Sequence, residues 1–210
     1  VIKSHYLITR FNLQHKKWRS VDKNGIPILT DEWMQHRFAL FDKYTVPSVL
    51  KQTVQDFLWI VLFDYYTSER WMSRIHSYGK IFMPLYLTEN WLDEFQKLLS
   101  VLANDWVATT RLDNDDAIDP KFMETIQGNL VTKRCFLNIP NGWIKYPYEL
   151  PEPTDHRANP FMTYIEPATE SRSIYFLPHG RNMRDHAPII QISTKRLWTQ
   201  IIHERNYVNE

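Results

Sequence analysis

Four carboxylates fall within seven residues where VATTRLDNDDAID (Val107–Asp119) turns from an apolar, β-branched run into Asp113, Asp115, Asp116 and Asp119. Like charges this close repel and raise one another's pKa values unless a cation or a set of donors holds them, which makes a divalent metal the economical physical account. In an open α/β sheet the ligand crevice lies outside the carboxyl ends of the strands, where this loop would sit if Val107–Thr110 is a strand. Three rival readings stand beside that one. Asp also favours N-caps and turns, so a solvated acidic turn before a helix would gather the same residues. A calcium-binding EF-hand counted from Asp113 does place Glu124 at its twelfth position, but Ala117 and Ile118 stand where an oxygen ligand and the obligatory glycine belong. A glycosidase pair needs carboxylates on opposite sides of a bond, which two residues of one short loop do not supply without a distant partner.

Positioning such a loop takes a sheet, and the preceding residues spell one. Tyr6–Thr9 reads as a first strand whose exit, Thr9-Arg10-Phe11-Asn12, is where nucleotide-binding α/β folds meet base and ribose. Leu13–Leu29 is polar and aperiodic, a loop. Thr30 or Asp31 caps a helix through Trp33, Met34, Arg37, Phe38, Phe41 and Tyr44, with Pro47 as an interruption. Arg37 sits among the apolar positions, either as a snorkelling side chain or as a cation awaiting a phosphate or carboxylate. Phe57–Phe63 is apolar on both alternating faces, as an interior parallel strand would be, and ends at Asp64, placed to recognise a ribose hydroxyl or a base donor. A helix from Thr67, an edge strand Lys80–Leu87 carrying Pro84, a core-facing helix from Thr88, and a strand Asp105–Leu112 follow. A helix from Asp119-Pro120 to Gly128 comes next.

Beyond Leu130 the pattern changes. Val131–Ile139 and Gly142–Tyr148 read as a hairpin around Asn141-Gly142, Pro151–Pro160 as a flexible loop across the site, and Phe161–Ile165, Ile174–Leu177 and Ile189–Ile192 as short strands. The fold class is therefore α/β, a mixed, mostly parallel sheet flanked by helices, with a smaller β-rich carboxyl-terminal portion. We read residues 1–210 as one domain.

With 210 residues there is length for one well-buried core, and a net charge of +1 with scattered basic residues argues against a nucleic-acid polymer as partner. Aromatics make up 14% of the chain, with eight Trp, an excess that suits a carbohydrate or nucleobase site as well as packing. The single cysteine, Cys135, excludes an internal disulfide, and no apolar run reaches the roughly 20 residues of a membrane span. Val1–Leu7 lacks the pattern of a signal peptide, so the expectation is a cytoplasmic protein or a soluble part of something larger.

Six segments in order, ITRFN at Ile8–Asn12, WMQHRFALFDKYTVPSV at Trp33–Val49, QTVQDFLWIVLFD at Gln52–Asp64, TTRLDNDDAI at Thr109–Ile118, NPFMTYIE at Asn159–Glu166 and WTQIIHERN at Trp198–Asn206, resemble the rhamnosyltransferase family, glycosyltransferases of the GT-A fold. The resemblance implies a nucleotide-diphosphate sugar donor, a glycan or other hydroxyl acceptor, and a Mn or Mg ion at Asp113-Asn114-Asp115, matching the family's Asp-x-Asp. On that reading residues 1–120 bind the nucleotide sugar and 121–210 face the acceptor. Asp115 would then ligate the metal, with Asp113 beside it touching ribose or a metal-bound water. A later His completes such sites, and His179 or His203, the latter in an expected terminal helix, could do so. Independently of the family, a diphosphate leaving group is stabilised by cations, for which Arg37 and Arg111 are candidates, and an inverting reaction needs a carboxylate base, for which Glu166 and then Asp185 are candidates. Two other classes stay open: a nucleotidyltransferase, which normally brings a Gly-rich phosphate loop that a chain with five Gly lacks, and a non-catalytic or degenerate sugar- or metal-binding module.

Overall fold

The computed structural model describes residues 4–14, 21–22, 24–102, 105–177 and 181–203. Its main sheet begins with β1 (Ser4–Arg10), β2 (Leu58–Asp64), β3 (Met83–Leu87) and β4 (Trp106–Arg111), all mutually parallel. Three strands from beyond residue 120 complete it: β6 (Cys135–Asn138), β9 (Thr163–Pro167) and β10 (Ile189–Gln191). The order is β10-β6-β9-β4-β1-β2-β3, and β9 alone runs antiparallel to its neighbours. A second sheet, β5-β11-β7-β8, joins β5 (Ala117–Ile118), β7 (Asn141–Lys145), β8 (Glu152–Asp155) and β11 (Trp198–Ile201). This is the α/β, mixed and mostly parallel architecture expected, with Pro84 on edge strand β3, where a residue without an N–H is tolerated.

Alternation along the strands sorts the core into two layers. On β2, Trp59, Val61 and Phe63 face one cluster with α1 (Asp31–Leu40) and α3 (Glu69–His76), while Ile60 and Leu62 face the other with α4 (Trp91–Leu102). The aromatic excess is mostly packing. Phe11 and Phe38 lie with ring centroids 4.4 Å apart, Phe136 and Tyr164 4.5 Å, Phe161 and Trp198 4.7 Å, and Trp33, Trp59, Trp71, Trp91 and Trp198 are buried. Among the described residues no helix is long and apolar enough to cross a membrane.

Thr30 caps α1 by accepting from the Trp33 N–H, as expected. Pro47 does not break the helical run. A π-helical turn, Phe41–Thr45, carries it into α2 (Val46–Leu50), where Pro47 sits in the first turn and its missing donor is tolerated. Four expectations fail. Asn141-Gly142 is no hairpin turn, because β6 and β7 belong to different sheets. Gly142 is needed there for a close approach, since a Cβ on it would come within 2.2 Å of the Trp198 indole. Pro151–Pro160 contains strand β8. Ile174–Phe176 is a 3-10 turn following Ser173 at φ 65°, not a strand. The segment before His203 is β11, not a helix, because Thr199 pairs with Ala117 and Trp143 at once.

Candidate active site

The acidic loop is the joint between the two sheets. β4 ends at Arg111, β5 begins at Ala117, and β11 runs antiparallel to β5 so that its exit lies beside Asp115. The Ile201 N–H donates to Asp116 Oδ1 at 2.8 Å, and His203 follows, its Nε2 2.9 Å from Asp115 Oδ2. From the other side Arg37, on α1, donates Nη1 to the same Asp115 Oδ2 and to Asn114 Oδ1 at 3.1 Å. Asn114 in turn donates to the Phe11 carbonyl at 3.3 Å, and Thr45, from the π turn, donates to the Asp116 carbonyl at 2.9 Å.

Each of the four crowded carboxylates is accommodated differently. Asp113 takes a two-pronged contact from Arg111, Nε to Oδ1 at 2.9 Å and Nη2 to Oδ2 at 2.7 Å. For Asp115, burial favours the protonated form, but the Arg37 charge and the His203 hydrogen bond outweigh it and hold the pKa below its ordinary value. For Asp116, burial and the charges of Asp115 and Asp113 all act in one direction and hold its pKa well above the usual carboxylate range. Asp119 caps the turn into α5 (Phe122–Gln127), accepting from the Lys121 N–H at 3.0 Å. The turn-forming reading holds for that residue.

Beside Asp113 lies a cationic pair, Arg111 buried and Arg10 half-buried. The guanidinium carbon of Arg10 stands 4.6 Å from the Tyr175 ring centroid and that of Arg111 5.4 Å, while the Tyr175 hydroxyl donates to the Ile8 carbonyl at 3.1 Å. Burial and the Arg111 charge lower the pKa of Arg10. Burial alone would lower Arg111 too, but the charge and hydrogen bonds of Asp113 reverse the sign and raise it. Burial and Asp113 push Tyr175 up to about 12.

At the carboxyl ends of β1 and β2, one turn along α1 from Arg37, a cleft of roughly 170 Å³ is lined by Asn12, Asp31, Met34, Asp64, Thr67 and Trp71, among others. Asn12 shapes its floor, accepting from the Asp64 N–H at 3.1 Å and donating to Thr67 Oγ1 at 3.0 Å.

The structure thus brings Arg10, Arg37, Arg111, Asp113, Asn114, Asp115 and His203 together and sets Asp64 in the adjoining cleft. It parts others from them. Thr9 is fully buried and accepts from the Trp59 indole N–H at 3.0 Å, and the Phe11 ring lies in the core, so at these two positions only the backbone is near. Glu166 pairs with Val107, close to the start of β4, whereas Asp113 follows its end, a separation of roughly 20 Å at about 3.3 Å per residue. It is buried, with Oε1 accepting from the Arg172 and Ser173 N–H groups at 2.7 and 2.8 Å, and burial raises its pKa. Its work is to clamp the loop that carries Tyr175. Asp185 is exposed in the 3-10 turn Arg181–Asp185, which leads into the amino end of β10, a strand parallel to β4 through β9 and β6. Neither carboxylate is placed as a base for chemistry at the acidic loop. His179 lies outside the described residues. Tyr175, His36 and Thr45 were missed. Tyr175 stands in a misread strand, and no sequence signal links His36 or Thr45 to a loop some 70 residues or more away.

A metal site can be tested against these donors. Among the described residues no group of three or more His, Cys, Asp or Glu comes together to hold an ion. Asp115 Oδ2 and His203 Nε2 do lie 2.9 Å apart, near the roughly 3 Å that separates adjacent ligands with bonds of about 2.1 Å. His36 Nε2, 3.4 Å from His203 Nδ1, supplies the outer partner that a ligating imidazole normally has. The donors fit a two-ligand site that substrate oxygens would complete.

A family model described as "Putative rhamnosyl transferase" matches residues 4–210. The chain belongs to that glycosyltransferase family. None of the curated proteins matches it. Among solved structures it is similar to S. aureus TarS 1–349, at 12% identity and a TM-score of 0.48, over 94% of this chain and 60% of that one. The same TarS fragment in complex with UDP gives 12% and 0.48, over 95% and 60%. A 4-diphosphocytidyl-2C-methyl-D-erythritol synthase gives 8% and 0.45, over 91% and 90%. The chain therefore spans about three-fifths of that TarS fragment.

Proposed function

We propose that this rhamnosyltransferase-family protein is a metal-dependent, cytoplasmic enzyme that moves a sugar, rhamnose by family, from a nucleoside diphosphate to a hydroxyl of a glycan acceptor. The observation that carries the reading is Asp115, buried at the carboxyl end of the sheet with its Oδ2 shared by Arg37 and His203, which hold its pKa below the ordinary value. In the reaction the bond from the anomeric carbon to the diphosphate oxygen breaks, a bond to the acceptor oxygen forms, the acceptor proton leaves to a base or to solvent, and nucleoside diphosphate is released.

The chain's own residues divide this work. The cleft at Asn12 and Asp64 takes the nucleoside, with Asp64 and the backbone of Arg10–Asn12 as hydrogen-bonding groups. Arg37, and the Arg10–Arg111 pair at Asp113, set positive charge where the diphosphate gathers negative charge on departure. Asp115 and His203 would hold the Mn or Mg ion, which supplies Lewis-acid neutralisation of the leaving group when bound. Asp116, tied to the Ile201 N–H, keeps β11 and hence His203 in register.

Incubating the protein with nucleoside diphosphate sugars, Mn and candidate glycans tests this. Nucleoside diphosphate and glycosylated acceptor are the expected products. Pyrophosphate instead would make it a nucleotidyltransferase, and thermal stabilisation by metal alone with no turnover would make it a binding module.

A further inference from the structure

The hairpin joining β7 to β8 is built in a way that packing does not explain. β7 runs parallel to β11 with Lys145 opposite Ile201, and the Ile202 N–H donates to the Lys145 carbonyl at 2.9 Å. Continuing that register, Tyr146 and Pro147 stand level with Ile202 and His203, about one strand spacing of 5 Å to the side. The tip, Tyr146-Pro147-Tyr148-Glu149-Leu150, therefore overhangs the end of the sheet from which His203 reaches Asp115. Its Glu149 N–H lies 3.5 Å from the Tyr146 carbonyl, Pro147 occupies the first central position of the turn, and Tyr148 the second, at φ 62°. That is a type II turn, whose second central position favours Gly or Asn. Here it holds a tyrosine whose side chain is fully exposed, with Tyr146 at the rim and Leu150 86% exposed beside it. A strained backbone that presents an aromatic ring to water is a local rule broken with no stability gained, the pattern expected of functional surface.

We infer that this tip is the acceptor subsite, and that its occupant is a pyranose ring of a glycan. A pyranose offers an apolar C–H face to an aromatic plane and hydroxyls around its edge. Two tyrosines supply the plane and hydroxyl partners, and Glu149 lies between them and Leu150 in sequence. The location selects this occupant, because a sugar held here stands next to the exit of β11 and so beside the site proposed for the donor diphosphate. The inference rests on the glycosyltransferase reading and deepens it.

Saturation-transfer NMR on the full chain, with methyl α-L-rhamnoside, methyl β-D-glucoside and methyl β-D-galactoside as separate probes, reads the contact directly. At least one glycoside should receive saturation on the protons of a single ring face, and Tyr148→Gly should weaken that transfer fivefold or more. Tm in Tyr148→Gly should stay level or rise, because Gly suits the backbone that Tyr148 strains; this separates lost recognition from lost fold. In turnover, the acceptor KM should rise while kcat and the donor KM hold. Equal transfer in wild type and variant, or transfer to none of the three glycosides in wild type, overturns the inference. So does sedimentation with phosphatidylcholine–phosphatidylglycerol vesicles that Tyr148→Gly abolishes, which would make the tip a membrane contact. Melting the same samples with Mn and UDP or dTDP keeps the two readings apart. If no wild-type sample responds to metal plus nucleotide while glycoside transfer persists, the donor reading fails and the tip stands as a sugar site; the reverse outcome removes the tip alone.

Discussion

Replacing Asp115 with Asn removes one negative charge and almost no volume, so its consequences are electrostatic. Arg37, whose side chain is 13% exposed, and His203, 5% exposed, lose the carboxylate they share. Stripping one partner from a buried ion pair costs about 3–5 kcal/mol where the survivor has no other partner. Arg37 retains Asn114 Oδ1 at 3.1 Å and some water, and Asp116 is relieved of a neighbouring charge, so a net cost of about 1–2 kcal/mol is expected here. In a chain of this length each kcal/mol moves Tm by roughly 2–4 °C, which puts the variant roughly 2–8 °C below wild type with no ligand. Mn and a nucleoside diphosphate at about 100 times their Kd should stabilise wild type by about 2.7 kcal/mol, a rise of roughly 5–10 °C by differential scanning fluorimetry. Asp115→Asn should show the lower starting Tm and none of that rise. Arg37→Gln gives the complementary test: it too starts lower, but it leaves Asp115 open to the ion, so the shift with metal alone should equal or exceed that of wild type, while the further shift on adding the nucleoside diphosphate should shrink because a cation facing the diphosphate is gone. A full ligand-dependent rise in Asp115→Asn would refute the assignment of the ion to this carboxylate.

Further predictions address the scaffold. Gly142→Ala puts a methyl group within 2.2 Å of the Trp198 ring, so urea unfolding should show a loss of about 3 kcal/mol, and metal affinity should fall with it because β11 carries His203. Glu166→Gln should change stability by only about 1 kcal/mol, since Oε1 can still accept from the Arg172 and Ser173 N–H groups, and turnover per folded molecule should hold within about twofold. A turnover loss of tenfold or more at normal stability would return Glu166 to the reaction. His5 is buried, and burial lowers its pKa from 6.5 to about 4. The unfolded chain therefore binds the extra proton between those values, and stability falls as pH drops through that window, by about 2 kcal/mol from pH 7.5 to 5. His5→Gln should remove that part of the pH dependence in denaturant melts.

What the sequence discloses follows the range of the interactions. β2 and α4 were legible because their apolar residues recur at the period of the element itself, and Asp115 because like charges crowded into a few residues demand compensation wherever the chain goes. The identity of the compensators was only partly legible. Arg37 stood out as a charge on an apolar helix face, but its pairing with Asp115 spans 78 residues and depends on the π turn and α2 docking on the acidic loop. The failures share one cause. Gly142 looked like a turn because glycine permits one, yet its use is to admit the Trp198 indole, a partner 56 positions on that no local pattern announces. Glu166 looked catalytic because it ends an apolar strand, but that strand is antiparallel to β4, so its carboxyl end points away from the site. Strand direction decides which end of a segment faces the chemistry, and direction is a property of pairing, not of the segment. Pairing likewise places the tip at Tyr148: a short polar and aromatic loop acquires meaning only once the parallel register of β7 with β11 sets it level with His203.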